Sequence, residues 1–411
     1  VYTLTANPFL LGLTNFASQV PVLALAVFGG LVADVFDRHR TVIITQTLLM
    51  LQAFALGTLT LWTDASGQPV IQIWHVLLLA TLAGAVQAFD MPTRQSFIPQ
   101  LVPRQDLNNA IALNSLTFNA ARVVGPSLAG IIIALFQKLQ PHHRAFGEGM
   151  CFLLNGLSFL AVIGQLRRMD RRSFPTKRDA TVERSLADGL DYLLDRRYLV
   201  YLIVTVGAVS FTALPYLVII PAVAKDVLHG DATTLGWIMT SVGIGAIGGG
   251  LRHARRQRVR GLGGVIVRSL MGFSAVMVAL GLQHNTLLTC LGFMTAGFFV
   301  VSATISAQTL VQSLVSEHYR GRVMSYYTMM SQGMTPFGSL LLGAEAHHFG
   351  TSASLMITGV MTFVVAAIFS FCWPTVREAL RASPEYADLL EREKLAHGGE
   401  SEEPSEAEED Q

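Results

Sequence analysis

The residues able to do chemistry in this chain are few and widely spaced. Asp34, Arg38 and Arg40 lie in the stretch GGLVADVFDRHR (29–40), Asp90 and Arg94 stand four residues apart, and Arg122 stands alone in a long apolar run. Acid–base groups of this kind can fasten two elements by charge-assisted hydrogen bonds. A carboxylate that loses its partners and its water can instead take up a proton. Glu345, at the end of another apolar run, is a third carboxylate of that sort. His142-His143 and His347-His348 are far apart in sequence. Zinc asks for three or four converging ligands, and nothing in the sequence makes these pairs meet, so no metal site is expected. Cys151, Cys290 and Cys372 have no paired spacing and read as small apolar packing groups.

The elements that hold these residues are set by composition. The chain is 51% hydrophobic and 14% charged, against about 25% charged in a soluble domain. Apolar runs of about 18 residues or more, long enough to cross ~30 Å of hydrocarbon as helices, recur at 9–31, 42–62, 74–93, 110–136, 149–166, 198–222, 233–251, 262–282, 287–312, 323–345 and 352–373. The fold class is therefore an all-α polytopic membrane protein. In that setting Arg122 becomes the most informative single residue. An arginine at mid-span costs from ~3 to above ~10 kcal/mol, so it must face a polar cavity or pair with an internal acid or a helix carbonyl end. Arg268, near the start of its run, can snorkel to the interface.

Charge sets the orientation. Of the 29 Lys and Arg, 24 fall in the segments 32–41, 94–107, 167–197, 252–260, 316–322 and the tail after 374. Three fall in the alternate loops and two, Arg122 and Arg268, inside runs. Basic loops stay in the cytoplasm, which places that side, and the C-terminus, there. The first run then starts outside, and no cleavable leader is visible, so a further helix ahead of Val1 is expected, twelve in all. A net charge of +1, spread between runs, gives no reason to expect a nucleic-acid partner.

An internal repeat supports the same frame. At a shift of 213, Gly84 meets Gly297, Gln95 meets Gln308, Gly125 meets Gly338 and Gly130 meets Gly343. At a shift of 220, Gly30-Leu31, Arg38 and Arg40 meet Gly250-Leu251, Arg258 and Arg260. Two parallel halves are a plan of transporters whose substrate site lies at the midplane between them. The divisions expected are an N-terminal half (1–166, five of six helices), a linker (167–197), a C-terminal six-helix half (198–373) and an acidic, disordered tail (374–411). Within the linker, Val182–Leu194 is amphipathic and is expected to lie along the membrane surface.

At this point the sequence resembles the major facilitator superfamily, and more narrowly its proton-driven exporters of the drug and siderophore efflux branch. Gly30-x-x-x-Asp34 with Arg38 and Arg40 is similar to that family's signature loop. The run Asp90-Met-Pro-Thr-Arg94-Gln-Ser-Phe-Ile-Pro-Gln-Leu-Val-Pro, continuing through Asn108-Asn109-Ala-Ile-Ala-Leu-Asn114, resembles the efflux branch. Val124-Gly125-Pro126-Ser-Leu-Ala-Gly130 is similar to its antiporter motif. Three positions depart from the pattern: Val35 stands where a basic residue is usual, Asp37 where glycine is usual, and the second-half copy has Ala254 in place of the acid. The resemblance implies a latch of Gly30, Asp34, Arg38, Arg40, Asp90 and Arg94 holding the halves together on the cytoplasmic side, with Asp90 the best partner for Arg38 or Arg40. Topology alone would need the arginines but not Asp34.

Coupling or cavity groups are expected at Arg122, Asn119, Gln87, Gln308 and Thr212, with Thr205, Ser210, Ser302, Thr304 and Ser306 on the same central runs. For Arg122, a purely structural interhelical bond stands as the alternative. Gly125, Pro126 and Gly130 are expected to admit a close neighbouring helix, with Gly243, Gly245, Gly248, Gly249 and Gly250 as the matching surface. The string GIGAIG also fits a dinucleotide fingerprint, but it lies inside an apolar run with no strand before it. The function expected is proton-coupled export of a drug-like or siderophore-like molecule by alternating access. It needs no cofactor beyond the proton gradient, and the protein would work as a monomer in the bacterial inner membrane. A lysophospholipid flippase is the nearest alternative. An intramembrane enzyme would need an acid–base or metal constellation that these runs do not supply, and a receptor would not need the paired glycine surfaces.

Overall fold

The computed structural model describes residues 1–64, 69–103, 107–140, 145–169, 186–254, 261–316 and 319–381. The described chain is helical almost throughout: α1 (Tyr2–Thr5), α2 (Pro8–Val35), α3 (Arg38–Leu61), α4 (Ile73–Leu101), α5 (Leu107–Leu139), α6 (Phe146–Arg168), α7 (Leu186–Asp195), α8 (Arg197–Thr212), α9 (Tyr216–Ala222), α10 (Ala232–Ala254), α11 (Leu262–Leu282), α12 (Thr286–Leu314), α13 (Arg320–Gly333), α14 (Thr335–Phe349) and α15 (Thr351–Arg381). Among the described residues nine helices are long and apolar enough to cross a membrane. The other two expected spans are α5, which is 33 residues long, and the pair α13 and α14, which meet at Met334.

Local chemistry sets the helix ends. Asn7 caps α2, its side chain accepting from the Phe9 amide at 2.9 Å, with Pro8 in the first turn. Asp231 accepts from the amides of Thr233 and Thr234 at the start of α10, and these bonds, the one from Thr234 first, lower its pKa. The charged stretch 32–41 is not a loop of that length. Helix α2 runs to Val35 and α3 starts at Arg38, so Phe36 and Asp37 alone join them. Asp37, the residue out of place in the signature pattern, caps α3 by accepting from the Arg40 amide at 3.2 Å. An acid there offsets Arg38 and Arg40, which sit at the unfavourable end of the α3 dipole.

The sixth run is broken. Pro215 has no amide hydrogen and disfavours helix at the residue before it. Ala213 and Leu214 both donate to the Val209 carbonyl, at 2.7 and 3.3 Å, and α9 begins after the proline. It ends in a π-turn, Val223–Val227. The linker helix is α7, with 182–185 of its expected range outside the described residues. One face is docked on protein. Tyr192 is buried, its ring stacked on Tyr319 at 4.3 Å with the Arg196 guanidinium 3.8 Å from its centroid. Its hydroxyl accepts from the Ser316 amide at 3.3 Å. Leu190 and Leu194 stay exposed, which leaves one apolar stripe for the membrane surface.

The chain forms two compact units. One takes in Val1–Val182, Val218–Thr240 and Ser339–Thr351; the other takes in Glu183–Leu217, Ser241–Gly338 and the chain from Ser352 onward. In the first, α2 packs along α4 and α3 along α6; in the second, α11 packs along α12. The aligned glycines Gly84 and Gly297 do the same work in their own units. A Cβ on Gly84 would run into the Ser18 carbonyl of α2, and one on Gly297 would lie 2.5 Å from the Val242 carbonyl of α10.

Alanine normally favours a helix over glycine by ~1 kcal/mol, so the sign of a Gly→Ala change reports the contact. Gly84→Ala is expected to lower the thermal unfolding midpoint in detergent, at an overpacking cost of ~1–3 kcal/mol. Gly164→Ala, where a Cβ meets nothing within 4 Å, should leave the midpoint level or raise it. Equal shifts in the two variants would contradict this packing.

Candidate functional site

The ends of the helices that carry the basic segments, called the basic end, hold a built charge site. On α3, Val42, Thr45 and Gln46 share one buried face at helical spacing. Val42 packs with Phe97 of α4 and Leu166 of α6, flanked by Ile43 and Met169. His39 adds a 2.7 Å bond between its Nε2 and the Leu166 carbonyl. This packing fixes the rotation of α3 and turns Thr45 and Gln46 towards α4, where Asp90 is 2% exposed. Its Oδ1 accepts from the Thr45 hydroxyl at 2.6 Å and the Gln46 amide at 2.9 Å, and its Oδ2 lies 2.8 Å from Arg94 Nε. A carboxylate buried at this depth needs such donors to be tolerable at all.

The arginine at Asp90 is thus Arg94, one turn along its own helix, where Arg38 or Arg40 is the partner expected from the sequence. Arg38 donates to the Ser96 carbonyl at 3.3 Å, tying the first turn of α3 to α4. Arg40 lies 3.7 Å from Asp37 as an exposed pair, which contributes little. The reason is reach: the joint between α2 and α3 is two residues long and holds both arginines near the helix ends, while Asp90 sits about three turns inside α4. Thr45 and Gln46 complete the site and carry no sequence signal of their own. Gly30 and Asp34 lie on the last two turns of α2 and Asn119, Arg122 and Pro126 along α5; the side chains of Asp34, Asn119, Arg122 and Pro126 are outside the described residues, as are His142 and His143.

The opposite end holds a second arrangement, in the unit that takes in 1–182, 218–240 and 339–351. A Cβ on Gly130 of α5 would lie 2.9 Å from the Gly236 Cα of α10. A Cβ on Gly343 of α14 would lie 2.9 Å from the Pro8 carbonyl and 3.2 Å from the Gly12 Cα of α2. Gly130 and Gly343 are repeat equivalents, so these are two copies of one contact, each joining a helix of one repeat to a helix of the other. Asn15 of α2 donates to the fully buried Ser339 of α14 at 2.7 Å. The glycine surface expected to meet α5 is displaced accordingly. The close contact is at Gly236, while the missing side chains of Gly245 and Gly248 face the Met294 carbonyl and the Phe298 ring of α12. Gly249 also faces α12, at the Phe298 carbonyl, while a Cβ on Gly125 or Gly250 would meet no described atom of another helix within 4 Å. Gly243 is buried on α10.

The neutral polar candidates divide into two kinds. Thr212 is buried and donates to the Ala208 carbonyl at 2.9 Å; Thr205, Thr304 and Ser306 likewise bond back along their own helices. Ser210 and Ser302 are buried. Hydroxyls bonded back to their own helices have little left for a ligand, whereas the buried Ser302 hydroxyl has no hydrogen-bond partner among the described residues. Gln87 on α4 and Gln308 on α12 are exposed, with both carboxamide donors and acceptors to offer.

Comparison with known proteins adds the following. A family model described as transmembrane secretion effector, within the major facilitator superfamily, matches residues 1–397. The Staphyloferrin A transporter of Staphylococcus aureus (strain NCTC 8325 / PS 47) is 27% identical over 371 residues, 90% of this chain and 89% of that protein. The multidrug efflux pump Tap of Mycolicibacterium fortuitum is 23% identical over 375 residues, 89% of this chain and 88% of that protein. Among solved structures, a D-xylose-proton symporter aligns with a TM-score of 0.69 at 15% identity, over 88% of this chain and 87% of that one. A bacterial homologue of the human lysosomal transporter Spinster aligns with a TM-score of 0.66 at 16% identity, over 92% and 91%.

The Asp90 site makes a graded prediction. Asp90→Ala strands the buried Gln46 donor, while the Thr45 hydroxyl can still turn to the Val42 carbonyl at 3.0 Å; the change is expected to cost ~1–3 kcal/mol, read as a lower unfolding midpoint in detergent. Asp90→Asn keeps an acceptor for both and should cost clearly less. The reverse order would mean that the carboxylate does not organise this end.

Proposed function

Because the chain belongs to the transmembrane secretion effector family of the major facilitator superfamily, we propose that this multi-pass membrane transporter exports a drug-like or siderophore-like small molecule by proton antiport. The observation that carries the reading is the match, over about nine-tenths of both chains, to a Staphyloferrin A transporter and a multidrug efflux pump. In this reading the basic end faces the cytoplasm of a bacterial cell, which the charge asymmetry supports, and the inner membrane holds the protein. The two halves, 1–166 and 198–373, rock about a central site, with 167–197 as linker and 374–411 as cytoplasmic tail. The protein acts as a monomer and binds no cofactor; the proton gradient is its energy source.

Each group has a part in this scheme. Exposed Gln87 and Gln308 each offer neutral hydrogen-bonding groups to an amphipathic substrate. Arg122 answers a developing negative charge inside the bundle, where a cation is expensive and so must be matched. Asp34 and Asp90 carry the proton-linked change at the cytoplasmic end. Among the described partners of the Asp90 carboxylate, Arg94 is the one that is itself half exposed.

The test is efflux from cells and from proteoliposomes containing the protein, with a panel of dyes and siderophores, with and without a protonophore. Expression is expected to lower accumulation of at least one compound, and the protonophore to abolish that effect. Arg122→Ala should remove transport while leaving the protein in the membrane. Accumulation unaffected by both protein and protonophore would overturn the antiport reading, and unchanged transport by Arg122→Ala would remove that residue from the mechanism.

A further inference from the structure

At the end of the bundle opposite the basic segments, three parts of the chain that are remote in sequence converge on one carboxylate. Asp226 Oδ2 accepts from the Tyr2 hydroxyl of α1 and, at 3.3 Å, from the Thr351 hydroxyl that opens α15. The Lys225 ammonium stands 5.5 Å from the centroid of the Tyr2 ring. Tyr2 is 6% exposed, while Lys225 and Asp226 are exposed. Both charged residues belong to the π-turn Val223–Val227, closed by Leu228 donating to Val223 and Gly230 to Ala224. A π-turn holds one residue more than an α-turn and recurs at functional sites because it redirects side chains at little cost.

We propose that Asp226 is the latch of this end, with Tyr2 and Thr351 as its donors, and that this face opens only when they release it. The inference rests on the alternating-access reading and assigns that motion a specific fastening. The neighbouring contacts explain why one is needed. The glycine pairs and the Asn15–Ser339 bond are neutral, and neutral packing between helices in lipid is weak and tolerant of sliding. Hydrogen bonds to an ionised carboxylate are about twice as strong as neutral ones, and here two converge on a single oxygen. They join the first repeat, through Tyr2, to two segments of the second. The Tyr2 phenol has its pKa raised by burial first and by Asp226 second, so it remains a donor at any physiological pH. Partial exposure of Asp226 lets water replace the donors when the face opens, which a fully buried knot would forbid.

The test uses a cysteine-free background (Cys151, Cys290 and Cys372 replaced by serine) and the reporter Ala346→Cys. Ala346 is buried on the face of α14 that carries Ser339 and Gly343. A membrane-impermeant maleimide is applied to either side of reconstituted vesicles, with and without an imposed proton gradient. Asp226→Leu is expected to raise the labelling rate roughly tenfold from one side only, the factor that one lost charge-assisted hydrogen bond implies. Asp226→Asn, which keeps an acceptor, should restore most of the protection. Tyr2→Phe and Thr351→Val should each give a smaller rise, and they decide the matter if Asp226→Leu does not insert. Labelling that responds to the gradient in the parent but is unchanged in every latch variant would overturn the latch and leave the transporter reading intact. Labelling that rises in the variants while the parent ignores the gradient would support the latch and count against proton-driven motion.

Discussion

The arrangement depends on how closely helices can approach when nothing but packing draws them together. Lipid tails are as apolar as leucine, so two helices in a bilayer gain from contact mainly through dispersion and interhelical bonds. That makes a missing side chain worth more than a large one. Among the described glycines, the Gly130–Gly236 and Gly343–Gly12 contacts bring helices of one repeat against helices of the other backbone to backbone. They are equivalent under the sequence repeat. A contact that occurs twice by symmetry and has no polar bond inside it can be made and broken without stranding a charge.

Charge is placed by the same economy. The described charged groups gather at helix ends, where Asp37 caps α3 and Asp231 caps α10. Asp90 is carried well inside α4, with Arg94 one turn on, and its carboxylate has donors from two helices. The two ends of the first unit therefore differ in kind. The basic end is fastened by a buried carboxylate supported from α3 and by the packing of Val42, Phe97 and Leu166. The other end closes on glycines and on a carboxylate that water can reach. A protein that must expose one face and then the other gains from such asymmetry, because the two fastenings can respond to different events.

Much of this was legible in the sequence, and the failures have physical causes. Run length and charge count give the helical membrane class, and the shift of 213 pairs Gly130 with Gly343. What the repeat could not supply was the partner of each glycine. Gly12 and Gly236 do not align with each other, because the contact depends on helix rotation as well as on sequence register. The GIGAIG stretch drew attention by its density of glycine, yet Gly245 and Gly248 serve the α10–α12 contact within the second unit. Asp37 reads as a departure from a pattern and is a helix cap, standing directly before the first residue of α3. The partners of Asp90 escape the sequence for a related reason: Arg38 or Arg40 is the expected pair, whereas Arg94 binds from one turn along α4 and Thr45 and Gln46 are chosen by the rotation of α3. Tyr2 and Asp226 are 224 residues apart and no local pattern links them.

The central claim is that helices of the two repeats part and rejoin at the end opposite the basic segments during transport. Asn15 and Ser339, bonded across α2 and α14, are the place to arrest that motion. With Asn15→Cys and Ser339→Cys in a cysteine-free protein, a short bifunctional thiol reagent should join the two helices and abolish substrate efflux from proteoliposomes, and a cleavable version should restore it on reduction. Full efflux by quantitatively cross-linked protein would contradict the account.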